Sequence, residues 1–230
     1  MTKSGVFQYP FEFTLRKEVL FANFVSMEVN AVLLHFLRSF TTSSERLCFL
    51  HGTAGSGKTH LLQALCQHSE HAVYLPLQQL LPYGPATLDG LESLDLLVLD
   101  DVQVLAGHTA WEHRLFELFN AVHAGSGRLC LAADLPAAQL PLQLADLRSR
   151  LQLCVPFEVK QLDDAGKAQV LRQSAAQRGL ELREEVAHYI LQHSTRGMTE
   201  LMAVLDQLDR LSLAEQRRLT LPFVKACMEW

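Results

Sequence analysis

Apolar residues follow two regimes along this chain. In the first, short apolar runs at Leu47–Leu50, Ala72–Leu77, Leu94–Leu99 and Leu129–Ala133 are separated by helical stretches at Lys58–His68 and Trp111–His123. A fifth apolar run, Leu151–Val159, closes the series. Runs with no polar alternation predict strands buried on both faces, and their alternation with helices predicts a parallel sheet covered on both sides. Ahead of the first strand, Val32, Leu33, Phe36, Leu37 and Phe40 recur at helical spacing within Val29–Phe40, and the polar loop TTSSER follows.

Beyond about Lys160 the strand signal stops. Asp163 or Asp164 can cap a helix running to Arg178, with Gly179 as its terminator. Further helices fit Glu184–His193, Gly197–Leu211 (Leu201, Leu205 and Leu208 on one face) and Pro222–Glu229, the last with proline in its first turn. The expected organisation is a tail at 1–20, an α/β domain at 21–158 and a small all-α domain at 159–230.

Composition narrows the classes. With 230 residues, 49% hydrophobic and 20% charged, the chain is an ordinary globular protein. A formal charge of -5 argues against a generally basic nucleic-acid binder. The five cysteines (Cys48, Cys66, Cys130, Cys154, Cys227) form no CxxC pair and sit mostly in apolar runs, which reads as buried thiols rather than a metal site. No signal segment and no apolar run of membrane-spanning length is visible, so the expected location is the cytoplasm.

The chemistry concentrates at GTAGSGKT, Gly52 to Thr59, which matches G-x-x-x-x-G-K-[ST] between a predicted strand and a predicted helix. Gly52, Gly55 and Gly57 let the backbone turn and aim its N–H groups at phosphate oxygens, together with the intervening Thr53, Ala54 and Ser56 and the following His60. Lys58 would reach the β- and γ-phosphates of ADP or ATP, and the Thr59 hydroxyl would ligate Mg²⁺. LLVLDD (Leu96 to Asp101) delivers two carboxylates to the C-terminal end of a strand, where ligands of parallel sheets bind. Asp100 would hold Mg²⁺ through water and Asp101 would orient or polarise the attacking water. Two acidic residues favour ATPases of the AAA+ kind over small GTPases. Asp134, ending the strand LCLAAD, is positioned to sense the γ-phosphate or to cap the next turn. Arg148 and Arg150 in LADLRSRL end a short helix from which an arginine can project into a neighbouring subunit's site.

Together, GTAGSGKTHLLQAL, LLVLDDVQ, LRSRL and MTELMAVLDQLD…RLTLPFVK resemble the DnaA branch of AAA+ proteins, and within it the regulatory inactivators of the Hda type. The resemblance runs from Phe21 to the C-terminus. It implies an AAA+ P-loop fold with a five-stranded parallel sheet and a helical lid, and it implies the arginine-finger position for Arg150 and a first sensor at Asp134. The end of the chain at Trp230, directly after the lid, fits the regulator rather than the initiator. One position departs from the pattern: where the lid helix should carry a phosphate-contacting arginine, this chain has Thr199 in GMTEL, with Arg196 about a turn earlier. A threonine cannot neutralise phosphate as a guanidinium does.

The resemblance also gives a reading of QYPFEF at Gln8 to Phe13. Relatives of this type carry a short Q-hydrophobic-x-hydrophobic-x-hydrophobic peptide for the DNA polymerase sliding clamp, which places Gln8, Tyr9, Phe11 and Phe13 as anchors. The other reading is that these rings staple the tail onto the α/β domain. The expected function is a nucleotide-bound regulator that joins the clamp, meets DnaA and lends Arg150 to hydrolysis of the ATP bound there. Contact with DNA would be indirect through the clamp, self-association is left open, and own turnover would be weak. The alternatives are an autonomous ATPase of helicase-loader type acting on single-stranded DNA, and a nonenzymatic scaffold.

Overall fold

The computed structural model describes residues 19–25, 30–69, 71–195, 197–228 and 230, so QYPFEF and Arg196 lie outside the described residues. Five strands, β1 (Leu47–His51), β2 (Ala72–Pro76), β3 (Leu96–Asp100), β4 (Arg128–Ala133) and β5 (Val155–Glu158), pair in parallel in the order β2-β3-β4-β1-β5. Their side chains alternate between two cores. Phe49, Leu97, Leu99, Leu129 and Leu131 face one layer, while Cys48, Leu50, Leu96, Val98, Cys130 and Ala132 face the other. Both faces are therefore apolar, which is why the runs show no polar alternation.

Helices α1 (Ala31–Ser39) and α2 (Lys58–Gln67) close one face through Leu33, Leu34, Leu37, Leu61, Leu62 and Leu65. The other face is closed by α3 (Leu77–Leu80), α4 (Thr109–Ala124) and α5 (Ala145–Leu151), with Trp111, Leu115, Leu118, Phe119, Leu147 and Leu151 buried. Between α3 and β3 the chain makes three short 3₁₀ turns, at Leu81–Tyr83, Pro85–Leu88 and Leu91–Ser93. Arg114 of α4 ties this stretch down, donating to Asp89 Oδ1 at 2.6 Å and to the Leu88 carbonyl at 2.9 Å.

The apolar run Leu151–Val159 divides differently from the expected buried strand. Leu151 ends α5, a turn carries the chain through Cys154, and β5 keeps only four residues. In it Val155 and Phe157 are half-buried while Pro156 and Glu158 are exposed. The reason is position: β5 pairs with β1 alone, and at a sheet edge Pro156 loses no ladder bond for its missing N–H.

The C-terminal helices α6 (Asp164–Gln177), α7 (Glu184–His193), α8 (Met198–Glu215) and α9 (Leu221–Met228) enclose their own core of Leu171, Val186, Ile190, Leu201, Leu205, Leu208 and Phe223. Asp163 caps α6, its Oδ1 accepting the Gly166 N–H at 2.8 Å. Helix α8 continues one turn beyond the expected Leu211 and stops where Gln216 turns left-handed, φ 52°. No described helix is long and apolar enough to cross a membrane.

Candidate functional site

The loop Gly52–Gly57 leaves the C-terminal end of β1 and opens α2 at Lys58. Gly57 has φ +100°, and a Cβ there would lie 2.8 Å from the Phe24 ring, so both the turn and the close approach require glycine. Gly55 has φ +76°, and its added Cβ would sit 3.5 Å from the Met198 nitrogen at the start of α8. The loop is thus bracketed by the N-terminal segment on one side and the helical domain on the other. Gln161, on the connection from β5 to α6, donates to the Ala54 carbonyl at 2.8 Å. Ser56 is buried in the loop, and its Oγ is one of the buried polar atoms without a hydrogen-bond partner among the described residues. A glycine cradle at a helix N-terminus, with an unpartnered hydroxyl and a lysine inside it, fits a phosphate group.

Sheet register assembles the charged groups opposite this loop. His51 of β1 pairs with Ala133 of β4, which sets Asp134 level with Gly52; Leu99 of β3 pairs with Leu131, which brings Asp100 and Asp101 to the same end. Lys58 is buried, and its Nζ donates to the carbonyls of Gly52 at 2.7 Å and Thr53 at 3.1 Å. Burial lowers its pKa, while Asp100, Asp101 and Asp134 pull in the opposite direction. The three carboxylates expected at this end of the sheet therefore all act on the loop lysine.

Asp100 is 1% exposed. Burial raises its pKa, opposed by hydrogen bonds from Thr59, Tyr74 and the Asp101 N–H. Tyr74 Oη donates to Oδ2 at 2.9 Å and the Asp101 N–H to Oδ1 at 3.0 Å. Asp101 itself sits in the left-handed region, φ 61°, where a side chain is disfavoured, and Gln103 Nε2 donates to its Oδ1 at 3.1 Å.

The N-terminal segment is stitched along α2. His60 donates from Nε2 to the Leu20 carbonyl at 3.0 Å and lies against Phe24, ring centroids 5.5 Å apart. Gln67 donates to the Val19 carbonyl at 3.1 Å, and Phe21 meets His68 edge to face at 5.8 Å. Burial lowers the pKa of His60, with the Leu20 carbonyl acting in the opposite direction.

Arg148 and Arg150 occupy the last turn of α5. Arg150 lines a depression of about 430 Å³ with Phe116, Asp146, Ser149 and Leu153; no residue of the glycine loop, and none of Asp100, Asp101 or Asp134, lines it. The structure therefore brings Gly52–Thr59, Asp100, Asp101 and Asp134 to one end of the sheet and puts Arg150 in the last turn of α5. Thr199 is exposed on the first turn of α8, next to the Met198 that meets the loop.

Sequence reasoning missed several residues at this end of the molecule. Tyr74 was legible as one polar atom inside an apolar strand. Glu112, fully buried in α4, was legible as a carboxylate beside core Trp111 and Leu115. It accepts the Gly107 N–H at 3.0 Å and the Leu144 N–H at 2.7 Å, joining the turn after β3 to the start of α5. Nothing in the sequence points to Phe24 or Met198, whose approaches to the loop are tertiary.

Residues 88–158 match the family model of the bacterial DnaA ATPase domain, and residues 164–228 match that of the Hda lid domain. Among solved structures, the chain is similar to domain III of the Thermotoga maritima replication initiation protein DnaA, at 22% identity and TM-score 0.79, covering 93% of this chain and 97% of that one. It is similar to AMPPCP-bound DnaA from Aquifex aeolicus at 26% identity and TM-score 0.70, over 86% of this chain and 67% of that one. The Thermotoga maritima RuvB Holliday junction branch migration motor shares the fold at 18% identity and TM-score 0.67, over 87% and 67% of the two chains. With a DnaA-type ATPase match followed by an Hda lid match on this sheet and helical domain, the chain is an Hda/DnaA-related AAA+ protein.

Proposed function

We propose that this protein is a nucleotide-bound regulator of replication initiation that promotes hydrolysis of ATP held by a DnaA partner. The observation that carries the proposal is a DnaA-type ATPase match followed by an Hda lid match in one chain. Arg150, half-buried in the last turn of α5, would serve a second molecule's nucleotide.

The chain's own pocket would hold ADP or ATP. Backbone N–H groups of Gly52–Thr59 would take the phosphates, Lys58 would neutralise them, and Thr59 and Asp100 would hold Mg²⁺, which supplies charge to the phosphate oxygens. The DnaA relative solved with AMPPCP supports a nucleotide in this place. Asp101 and Asp134 are suited to orienting a water and sensing a γ-phosphate, but Thr199 lacks the guanidinium that would complete that sensing, which fits weak turnover by the chain itself. Gln8, Tyr9, Phe11 and Phe13 would join the sliding clamp.

The test is ATP turnover by purified protein in three arms: alone, with single-stranded DNA, and with ATP-loaded DnaA plus DNA-loaded clamp. Hydrolysis confined to the third arm is expected. Strong hydrolysis stimulated by DNA without DnaA would overturn the proposal in favour of an autonomous motor.

A further inference from the structure

Asp100 is held by more than its own strand. It is buried at the end of β3, and each of its oxygens already faces a fixed donor: Oδ1 the Asp101 N–H at 3.0 Å, Oδ2 the Tyr74 hydroxyl at 2.9 Å. Tyr74 lies on the neighbouring strand β2, where register pairs it with Val98 and pairs Pro76 with Asp100. The phenol reaches the carboxylate diagonally, along the strand direction. Its other neighbour is the Gln63 side chain, on the second turn of α2, and Thr59 at the start of α2 also hydrogen-bonds to Asp100. The polar contacts therefore form a ring from α2 through β2 and β3 back to α2, around the carboxylate that faces the phosphate loop.

A phenol has a single hydrogen to donate, and here Oδ2 of Asp100 takes it. A committed donor on one lone pair of Oδ2 fixes both the rotamer and the free lone-pair direction of the carboxylate. Mg²⁺ demands near-octahedral geometry and keeps several waters, so a carboxylate that serves it through water must present its lone pairs within narrow limits. Groups that orient metal-facing carboxylates are worth about 10–100-fold in metal affinity.

We infer that Tyr74 is a positioning residue for the divalent cation that accompanies the nucleotide phosphates, acting through Asp100 rather than touching the cation or the phosphates. This inference rests on the nucleotide and Mg²⁺ reading of the pocket proposed above.

The experiment measures affinity for a fluorescent ATP analogue as Mg²⁺ is titrated, and again in EDTA, for the parent protein and Tyr74→Phe. The hydroxyl is the only group removed. The Mg²⁺ concentration for half-maximal effect is expected to rise about 10-fold or more, while affinity in EDTA stays within about twofold. A purely structural hydroxyl would instead lower the melting temperature and leave the Mg²⁺ midpoint unmoved, which overturns the inference. In an Asp100→Asn background Tyr74→Phe is expected to add nothing, and a full additional shift there also overturns it. Should Tyr74→Phe melt near the assay temperature, Gln63→Leu is measured in its place. It leaves the hydroxyl but removes its second neighbour, and a smaller shift in the same direction is expected; no shift overturns the inference. A parent protein whose nucleotide binding ignores Mg²⁺ altogether would overturn the pocket reading itself, an outcome visible before any variant is compared.

Discussion

Glu112 Oε2 accepts the backbone N–H of Leu144 at 2.7 Å, across 32 residues of sequence, while its Oε1 accepts that of Gly107 at 3.0 Å. One fully buried carboxylate in the first turn of α4 thus fixes both the end of the turn that follows Asp101 and the N-cap residue of the helix that carries Arg150. Charge-assisted bonds of this kind are stronger than neutral ones, and their loss deprives two part-buried N–H groups of their acceptor. Glu112→Ala is expected to lower unfolding free energy by about 3 kcal/mol in denaturant titration and to accelerate amide exchange at Leu144. Glu112→Gln is expected to cost less, because one acceptor survives. Equal stability of Glu112→Ala and parent would show that the contact carries no weight.

Lys58→Ala is expected to abolish retention of nucleotide through gel filtration, because the only loop cation would be lost from a site surrounded by Asp100, Asp101 and Asp134. Measurement of nucleotide released on denaturation checks this, and undiminished nucleotide would refute the assignment of the loop.

Arg150→Ala is expected to leave nucleotide affinity unchanged and stability within about 0.5 kcal/mol, since the half-buried side chain belongs to α5 and not to the loop Gly52–Thr59. Stimulation of ATP hydrolysis on DnaA is expected to vanish, a loss of about 10³-fold where the finger acts fully. Arg148→Ala should lose less. Persistent stimulation without Arg150 would mean that the protein does not act by lending an arginine.

The stability of the nucleotide-binding face should depend on acid through His60. Its folded pKa is depressed, chiefly by burial, so its neutral form is the one the native structure favours. That contribution is fully present above the unfolded pKa of about 6.5 and falls as pH drops below it, because the unfolded chain then binds the extra proton. Parent protein should therefore lose stability between about pH 6.5 and 5 more steeply than His60→Gln. Parallel pH profiles for the two would exclude this histidine as the cause.

The tail prediction is independent of the described residues. Gln8→Ala combined with Phe11→Ala is expected to abolish clamp binding without moving the melting temperature. Each anchoring ring buries surface worth roughly 1.5–3 kcal/mol in a partner groove, whereas a ring packed on its own domain would cost roughly 3–5 kcal/mol when deleted. A destabilised variant with normal clamp affinity would establish the staple instead.

Much of this molecule was legible before any coordinates. The apolar runs declared strands covered on both faces, and α7 spans Glu184–His193 as its periodicity predicts. The glycine spacing of Gly52–Thr59 and the carboxylates after Leu96–Leu99 singled out the residues that the sheet register gathers at one end, because local backbone geometry and burial leave few residue types able to stand there. The division of Leu151–Val159 was not legible. An apolar run does not say how many neighbours its strand will have, and an edge position left β5 only four residues. Nor could sequence bring Tyr74 to Asp100, Glu112 to Leu144 or Phe24 to Gly57. Those contacts depend on strand order, register and the docking of distant segments, which arise from the packing of the whole chain rather than from the preferences of any stretch of it.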